Sequence, residues 1–189
     1  MEALFYKVLD GRLKCQLCPH ECILEEGDVG ICRVRKNENN KLISLSYKQV
    51  SSIALDPIEK KPLKMFMPNT NVLSIGSYGC NLRCPWCQNY SISQKKPPSL
   101  TEIEPETLIE IAVKKGHPSI AFTYNEPVVN YEFVLETAQL AKQKGIKTVL
   151  VTSAYIKKDP WLKLLEYIDA LNIDLKGYNS KKYKKTLVI

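Results

Sequence analysis

Seven cysteines are the residues of this 189-residue chain best equipped for chemistry, and they fall into two sets with none left over. Cys80, Cys84 and Cys87 stand in a C-x3-C-x2-C pattern, which lets three thiolates from one loop wrap one corner of an iron–sulfur cluster. Such clusters are normally held by four cysteines. A four-iron cubane held by three keeps one iron open to an outside ligand, as a catalytic zinc keeps an open position. Trp86, just before the last cysteine, is placed either to shield a cluster or to pack. The alternatives are a zinc site completed by a remote ligand such as His117, or unligated thiols.

The other set, Cys15, Cys18, Cys22 and Cys32, reads C-x2-C-x3-C-x9-C. Four thiolates are enough to close a tetrahedral site. A zinc ion or another structural metal, an auxiliary iron–sulfur cluster and unligated thiols all remain open, with His20 inside the set as a further ligand candidate. An odd cysteine total without a secretory leader argues against a disulfide framework.

The elements that must position these residues show in the hydrophobic pattern. From about residue 70, short apolar strands at Val72–Ile75, Ile120–Thr123, Thr148–Thr152 and Leu171–Leu175 alternate with helices. Pro105 opens one helix, with Leu108, Ile111 and Ala112 at helical spacing and Gly116 as its stop. Tyr131, Val134, Leu135 and Ala138 mark the next, and Asp159-Pro160 caps a third carrying Trp161, Leu164, Leu165 and Ile168. This alternation predicts an α/β fold with parallel strands, in a sheet or barrel. Residues 1–68, with the four-cysteine set and a strand-like stretch at 42–55, read as a separate Cys-rich region.

In parallel α/β folds chemistry collects at the carboxyl ends of the strands. Here those ends run into Gly79–Cys87, Tyr124-Asn125-Glu126-Pro127, Thr152-Ser153 and Asp174-Leu175-Lys176. Parallel strands would bring all four groups to one face.

With these blocks in view, the chain resembles radical S-adenosylmethionine (radical SAM) enzymes, through Cys80-x3-Cys84-x2-Cys87 with an aromatic at position 86. SIGSYGCNLRCPWCQNYSIS, AFTYNEP, TVLVTSAYI and NIDLKGY resemble blocks of the pyruvate formate-lyase activating-enzyme-like group. CQLCPHECILEEGDVGICRVR resembles the N-terminal block of the AmmeMemoRadiSam-system radical SAM proteins. The resemblance implies a [4Fe–4S] cluster whose open iron binds S-adenosylmethionine, and a reductant such as a flavodoxin or ferredoxin. It also implies a 5′-deoxyadenosyl radical that abstracts hydrogen from an unknown substrate, a protein or peptide among the candidates. Asn125 and Glu126 then belong to the cofactor site, with Glu126 accepting from the methionyl ammonium; the alternative is an acid at a helix N-terminus. Thr152 and Ser153 would lie near the ribose or carboxylate, although this chain reads VTSAY where relatives read VTNGY. Asp174 and Lys176 resemble an element that approaches the cofactor, with a surface ion pair as the alternative. No side chain is assigned as acid, base or nucleophile.

Composition excludes several other classes. No apolar run approaches the roughly 18 residues of a membrane span, and the N-terminus lacks the pattern of a signal peptide. A soluble, cytoplasmic protein is expected. The net charge of +7 is dispersed in lysine pairs from 60/61 to 184/185 without interleaved aromatics, which makes nucleic acid a poor partner. The family core implies six βα units of roughly 30 residues each, and the chain from 69 to 189 accommodates about four. It therefore reads as a C-terminally truncated partial barrel, with the basic stretch after Tyr178 outside the alternation. An exposed parallel edge predicts a second chain that completes the barrel. The rival function is a non-catalytic remnant, or one half of a split protein.

Overall fold

The computed structural model describes residues 1–187. Its first strands are short and joined by tight turns. Tyr6–Leu9 (β1) and Arg12–Cys15 (β2) pair antiparallel across Asp10-Gly11, both at positive φ, and Ile23–Leu24 (β3) completes that sheet. Arg35–Glu38 (β4) and Lys41–Ser44 (β5) form a hairpin whose two loop residues, Asn39 and Asn40, have φ of 55° and 57°. Asparagine tolerates that left-handed conformation better than most residues, which suits such two-residue turns.

The stretch expected as one strand at 42–55 divides among three sheets. Its first part is β5. Gln49–Val50 (β6) pairs with Thr101–Glu102, and Ser52–Pro57 (β7) pairs antiparallel with Asn71–Gly76 (β8). β7 thereby becomes an edge of the main sheet.

After β8 the expected alternation is present. Tyr90–Ser93 (α1) and the short strand Thr101–Glu102 (β9) lead to Pro105–Lys114 (α2), followed by Ser119–Phe122 (β10), Tyr131–Gln143 (α3) and Lys147–Thr152 (β11). Lys158–Leu165 (α4), Ala170–Ile173 (β12) and Ser180–Leu187 (α5) complete it. The main sheet has the order β12-β11-β10-β8-β7, with the first four strands parallel. The predicted α/β architecture is therefore borne out. β10 is buried at every residue, as a central parallel strand covered on both faces should be. α2 buries Leu108, Ile109 and Ala112 along one stripe, while α3 is buried almost all round.

Two local expectations need correction. Asp159 does not cap α4: the helix starts at Lys158, and Asp159 lies in its first turn, where a negative charge suits the dipole. The stretch after Tyr178 is a helix, α5, with Leu187 buried and its carbonyl accepting from the Arg83 amide at 2.8 Å. Its strongly polar composition hid the helical period, since only Tyr183 and Leu187 supply an apolar i, i+4 pair.

The N-terminal region is fastened to the sheet by a buried ion pair. The Arg35 guanidinium donates to Glu132 on α3 at 2.5 Å and to the Leu4 carbonyl at 2.9 Å. Leu4 in turn donates its amide to Glu132 at 2.8 Å. Breaking one partner of such a pair strands a buried charge, at a cost of about 3–5 kcal/mol.

Candidate functional site

The loop between β8 and α1 carries Cys80, Cys84 and Cys87, and its course depends on two glycines. A Cβ on Gly76 would meet Ser52 Oγ at 2.7 Å and the Tyr124 ring at 2.8 Å. A Cβ on Gly79, which has φ +86°, would meet Val34 Cγ1 at 2.6 Å and the Cys32 carbonyl at 2.7 Å. The three-cysteine loop therefore lies directly against the segment that carries the last cysteine of the other set.

Side chains then pin the loop from several sides. Asn125 accepts from the Ser77 amide at 3.0 Å and donates to the Gly79 carbonyl at 2.9 Å. Gln94 donates to the Leu82 carbonyl at 2.7 Å, Arg83 donates to Gln94 and to the Ile31 carbonyl, and Asn81 donates to the Tyr155 carbonyl at 2.7 Å. His20, within the four-cysteine set, contacts the Asn81 carbonyl through Nε2 at 2.7 Å, which requires the hydrogen on that nitrogen.

The three thiols open into a cleft of ≈ 930 Å³ at the carboxyl ends of β8, β10, β11 and β12. Asn125, Glu126, Thr152, Ser153, Asp174 and Lys176 all line it. The residues expected from sequence are thus brought together. Trp86 stands at its rim, 60% exposed. His117 lies in the turn before β10, at the opposite end of that strand, so it is no ligand for this loop.

Glu126 organises the wall between β10 and β11. One oxygen accepts from the Thr152 hydroxyl and from the Val128 amide at 3.3 Å. The other accepts from the Ser153 amide at 2.9 Å and the Ser153 hydroxyl at 2.6 Å. Asp174 and Lys176 pair with each other at the β12 side. Burial pushes the Cys80 thiol well above its ordinary range, and the Glu126 charge adds to the rise. Burial raises Cys84 too, against the pull of the Lys176 ammonium. Thiols held this way stay protonated in water alone, and a bound cation would displace their protons to solvent.

Sequence reasoning missed one part of the cleft. Asp56 at the end of β7, with Lys60, Lys61 and Tyr124, also lines it. Tyr124 stands in the strand-end block AFTYNEP, but no motif marks the other three, because an acid and a lysine pair beside prolines look like any charged surface turn.

The four-cysteine set is built differently. Cys15, Cys18, Cys22 and Cys32 line a small enclosed cavity of ≈ 10 Å³ together with His20 and Arg35. Burial pushes the Cys18 thiol up to about 12 and the Cys32 thiol up to about 11. Among the described residues, the fully buried Arg35 finds no partner for its Nε beside this cavity. Among the described residues, no three His, Cys, Asp or Glu side chains stand close enough to grip one ion as they are.

A family model of the radical SAM superfamily matches residues 74–187. The chain belongs to the radical SAM superfamily. It is 46% identical over 187 residues to the uncharacterized protein MJ0808 of Methanocaldococcus jannaschii, covering 97% of this chain and 55% of that one. It is 31% identical to a putative glycyl-radical enzyme activating enzyme, MJ1632, of the same organism, over 59% of this chain and 42% of that one. A third relative, 32% identical over 35% of this chain and 21% of its own length, is the 4-hydroxyphenylacetate decarboxylase activating enzyme of Clostridium scatologenes. The chain thus spans about half or less of these proteins' lengths.

Radical SAM membership implies a [4Fe–4S] cluster and S-adenosylmethionine. The cleft fits that pair by its donor set. Among the described residues, three cysteines, no fourth and no histidine line it, which leaves one cluster position for an outside ligand. Among the described residues no helix is long and apolar enough to cross a membrane.

Proposed function

We propose that the chain carries out reductive cleavage of S-adenosylmethionine in the ≈ 930 Å³ cleft and hands the resulting radical to a substrate bound there, in the manner of activating enzymes. The observation that carries this reading is the meeting of Cys80, Cys84 and Cys87 with Glu126, Thr152, Ser153, Asp174 and Lys176 on one face. The cluster, when bound, supplies the electron that breaks the sulfonium C–S bond and yields the 5′-deoxyadenosyl radical. Everything else is positioning by the protein.

In this reading Cys80, Cys84 and Cys87 hold the cluster, and Asn125 acts one step back by clamping the backbone at Ser77 and Gly79. Glu126 fixes Thr152 and Ser153 and offers negative charge to the cofactor's ammonium. Lys176, half-buried beside Cys84, supplies positive charge near the thiolates, and Asp174 holds that lysine in place. A flavodoxin- or ferredoxin-type reductant provides the electron, and a protein or peptide is among the candidate substrates.

The Cys15, Cys18, Cys22 and Cys32 set holds a single structural ion, zinc by preference. Its cavity as it stands has room for about one water-sized body, which favours a single ion. The unpartnered Arg35 Nε is a ready donor to a thiolate. Residues 1–68 then form a metal-stapled region on the 69–189 partial barrel.

Anaerobic reconstitution, reduction and addition of S-adenosylmethionine test the main reading. 5′-Deoxyadenosine should form in the native chain and fall at least 100-fold in Cys84→Ala. Cofactor binding without any cleavage product in the native chain defeats it.

A further inference from the structure

The charged group at the β7 side of the cleft has no part in the cofactor reading. Asp56 accepts from Lys61 Nζ at 2.8 Å, from the Tyr124 hydroxyl at 2.6 Å and from Lys60 Nζ at 3.2 Å. The Lys61 side chain is 3% exposed and that of Asp56 9%. Lys61 Nζ also sits 4.9 Å from the centre of the Tyr124 ring. Tyr124 itself has φ +73°, and the missing side chain of Gly76 makes room for its ring.

Each of these features is costly. Burying two charges carries a desolvation penalty that their attraction repays only with good geometry. A non-glycine residue at positive φ adds backbone strain. Both costs fall at one point on the cleft wall, next in sequence to Asn125 and Glu126. Such concentration marks sites that bind or position a ligand. The hydrogen bonds from Lys61 and Tyr124 overcome burial and hold the Asp56 carboxyl well below the usual carboxylate range. Two lysines against one carboxylate leave a local charge of +1, and the Lys60 side chain is 68% exposed. Among the described residues, Lys61 Nζ makes one hydrogen bond of the three it can donate.

Topology separates the lysines and Asp56 of this group from Asp174 and Lys176. In the order β12-β11-β10-β8-β7, Asp174 and Lys176 follow one edge strand and Asp56 ends the other. We propose that Asp56, Lys60, Lys61 and Tyr124 form a substrate subsite for an oxyanion, a carboxylate or phosphate carried by the molecule that meets the radical. The proposal rests on the radical SAM reading of the cleft and adds the chemical class of its substrate.

Titration of the whole chain with inorganic phosphate, and separately with acetate, tests it, followed through the backbone amide NMR signals of Lys61 and Tyr124. Saturable binding of at least one anion is expected, and the tighter of the two names the source. Lys60→Met and Lys61→Met should each weaken binding at least tenfold, and Lys61→Arg should keep it within about threefold. Should Lys61→Met fail to fold with Asp56 unpaired, the double variant Asp56→Asn/Lys61→Met removes both charges and should likewise lose binding. No saturable binding, equal binding in the methionine variants, or displacement of the anion by S-adenosylmethionine overturns the proposal. 5′-Deoxyadenosine formation by the unaltered chain is measured alongside. Its absence with anion binding intact would count against the radical chemistry and not against the anion site.

Discussion

The two cysteine sets of this chain lie against one another, yet they are built differently. Cys80, Cys84 and Cys87 are partly buried thiols on a loop that opens into a large cleft. Three of the four cysteines at 15–32 are buried, and all four close around a space the size of one water. An open site keeps a coordination position for chemistry, whereas a closed one contributes to folding. On the proposed reading the same residue type serves reactivity in one place and stability in the other, and the openness of the surrounding space makes the difference.

The sharpest way to break this contrast is a pair of substitutions. Cys84→Ala should lower 5′-deoxyadenosine formation at least 100-fold while leaving the unfolding midpoint nearly unchanged. Cys18→Ala should destabilise the chain by about 3 kcal/mol, read by denaturant unfolding, through loss of the ion that staples the region. If Cys18→Ala unfolds no more easily than Cys84→Ala, the closed site is not structural. Metal analysis should find one zinc per chain that survives in Cys84→Ala and disappears in Cys18→Ala.

Gly79→Ala strikes the seam between the sets. The new methyl has no room beside Val34 and the Cys32 carbonyl, and the φ of +86° disfavours alanine. A loss of about 2–3 kcal/mol is expected, with metal content reduced at both sites. Reduction at one site alone would show that the contact carries no coupling.

Asn125→Ala should cost about 1–3 kcal/mol by leaving the Ser77 amide and Gly79 carbonyl without their partner. Cluster absorbance after reconstitution should fall, while zinc stays. An intact cluster signal would mean that the loop holds itself.

The smallest effect is one of pH. Glu21 is held down to about 2 by its bonds to Lys157 and Lys14. A depressed carboxyl contributes stability that is complete above its unfolded value, near 4.5, and lost as pH falls through about 2. Glu21→Gln should therefore lower the melting temperature slightly at pH 6 and not at all near pH 2. A difference that persists in strong acid would point away from charge pairing.

Much of this arrangement was legible before any coordinates. Parallel central strands read as short apolar runs, so β8, β10, β11 and β12 showed themselves, and with them the residues at their carboxyl ends. Asn125 illustrates the limit. Its position beside Glu126 marked it for the cofactor site, but its amide is engaged at both ends by the loop, a contact across 48 residues that no local pattern reveals. Asp56 and Lys61 were hidden for a similar reason. Their meaning comes from the pairing of β7 with β8, and antiparallel pairing at a sheet edge leaves little trace in a chain of mixed polarity. α5 escaped because only Tyr183, against Tyr155, and the buried Leu187 form its apolar face, too few among lysines to show a period.

The seam at Gly79 also bears on how the protein is put together. The three-cysteine loop and the Cys32–Val34 segment leave no room for a side chain between them. A shift of either backbone is therefore passed to the other, so the two sets of thiols share one mechanical frame.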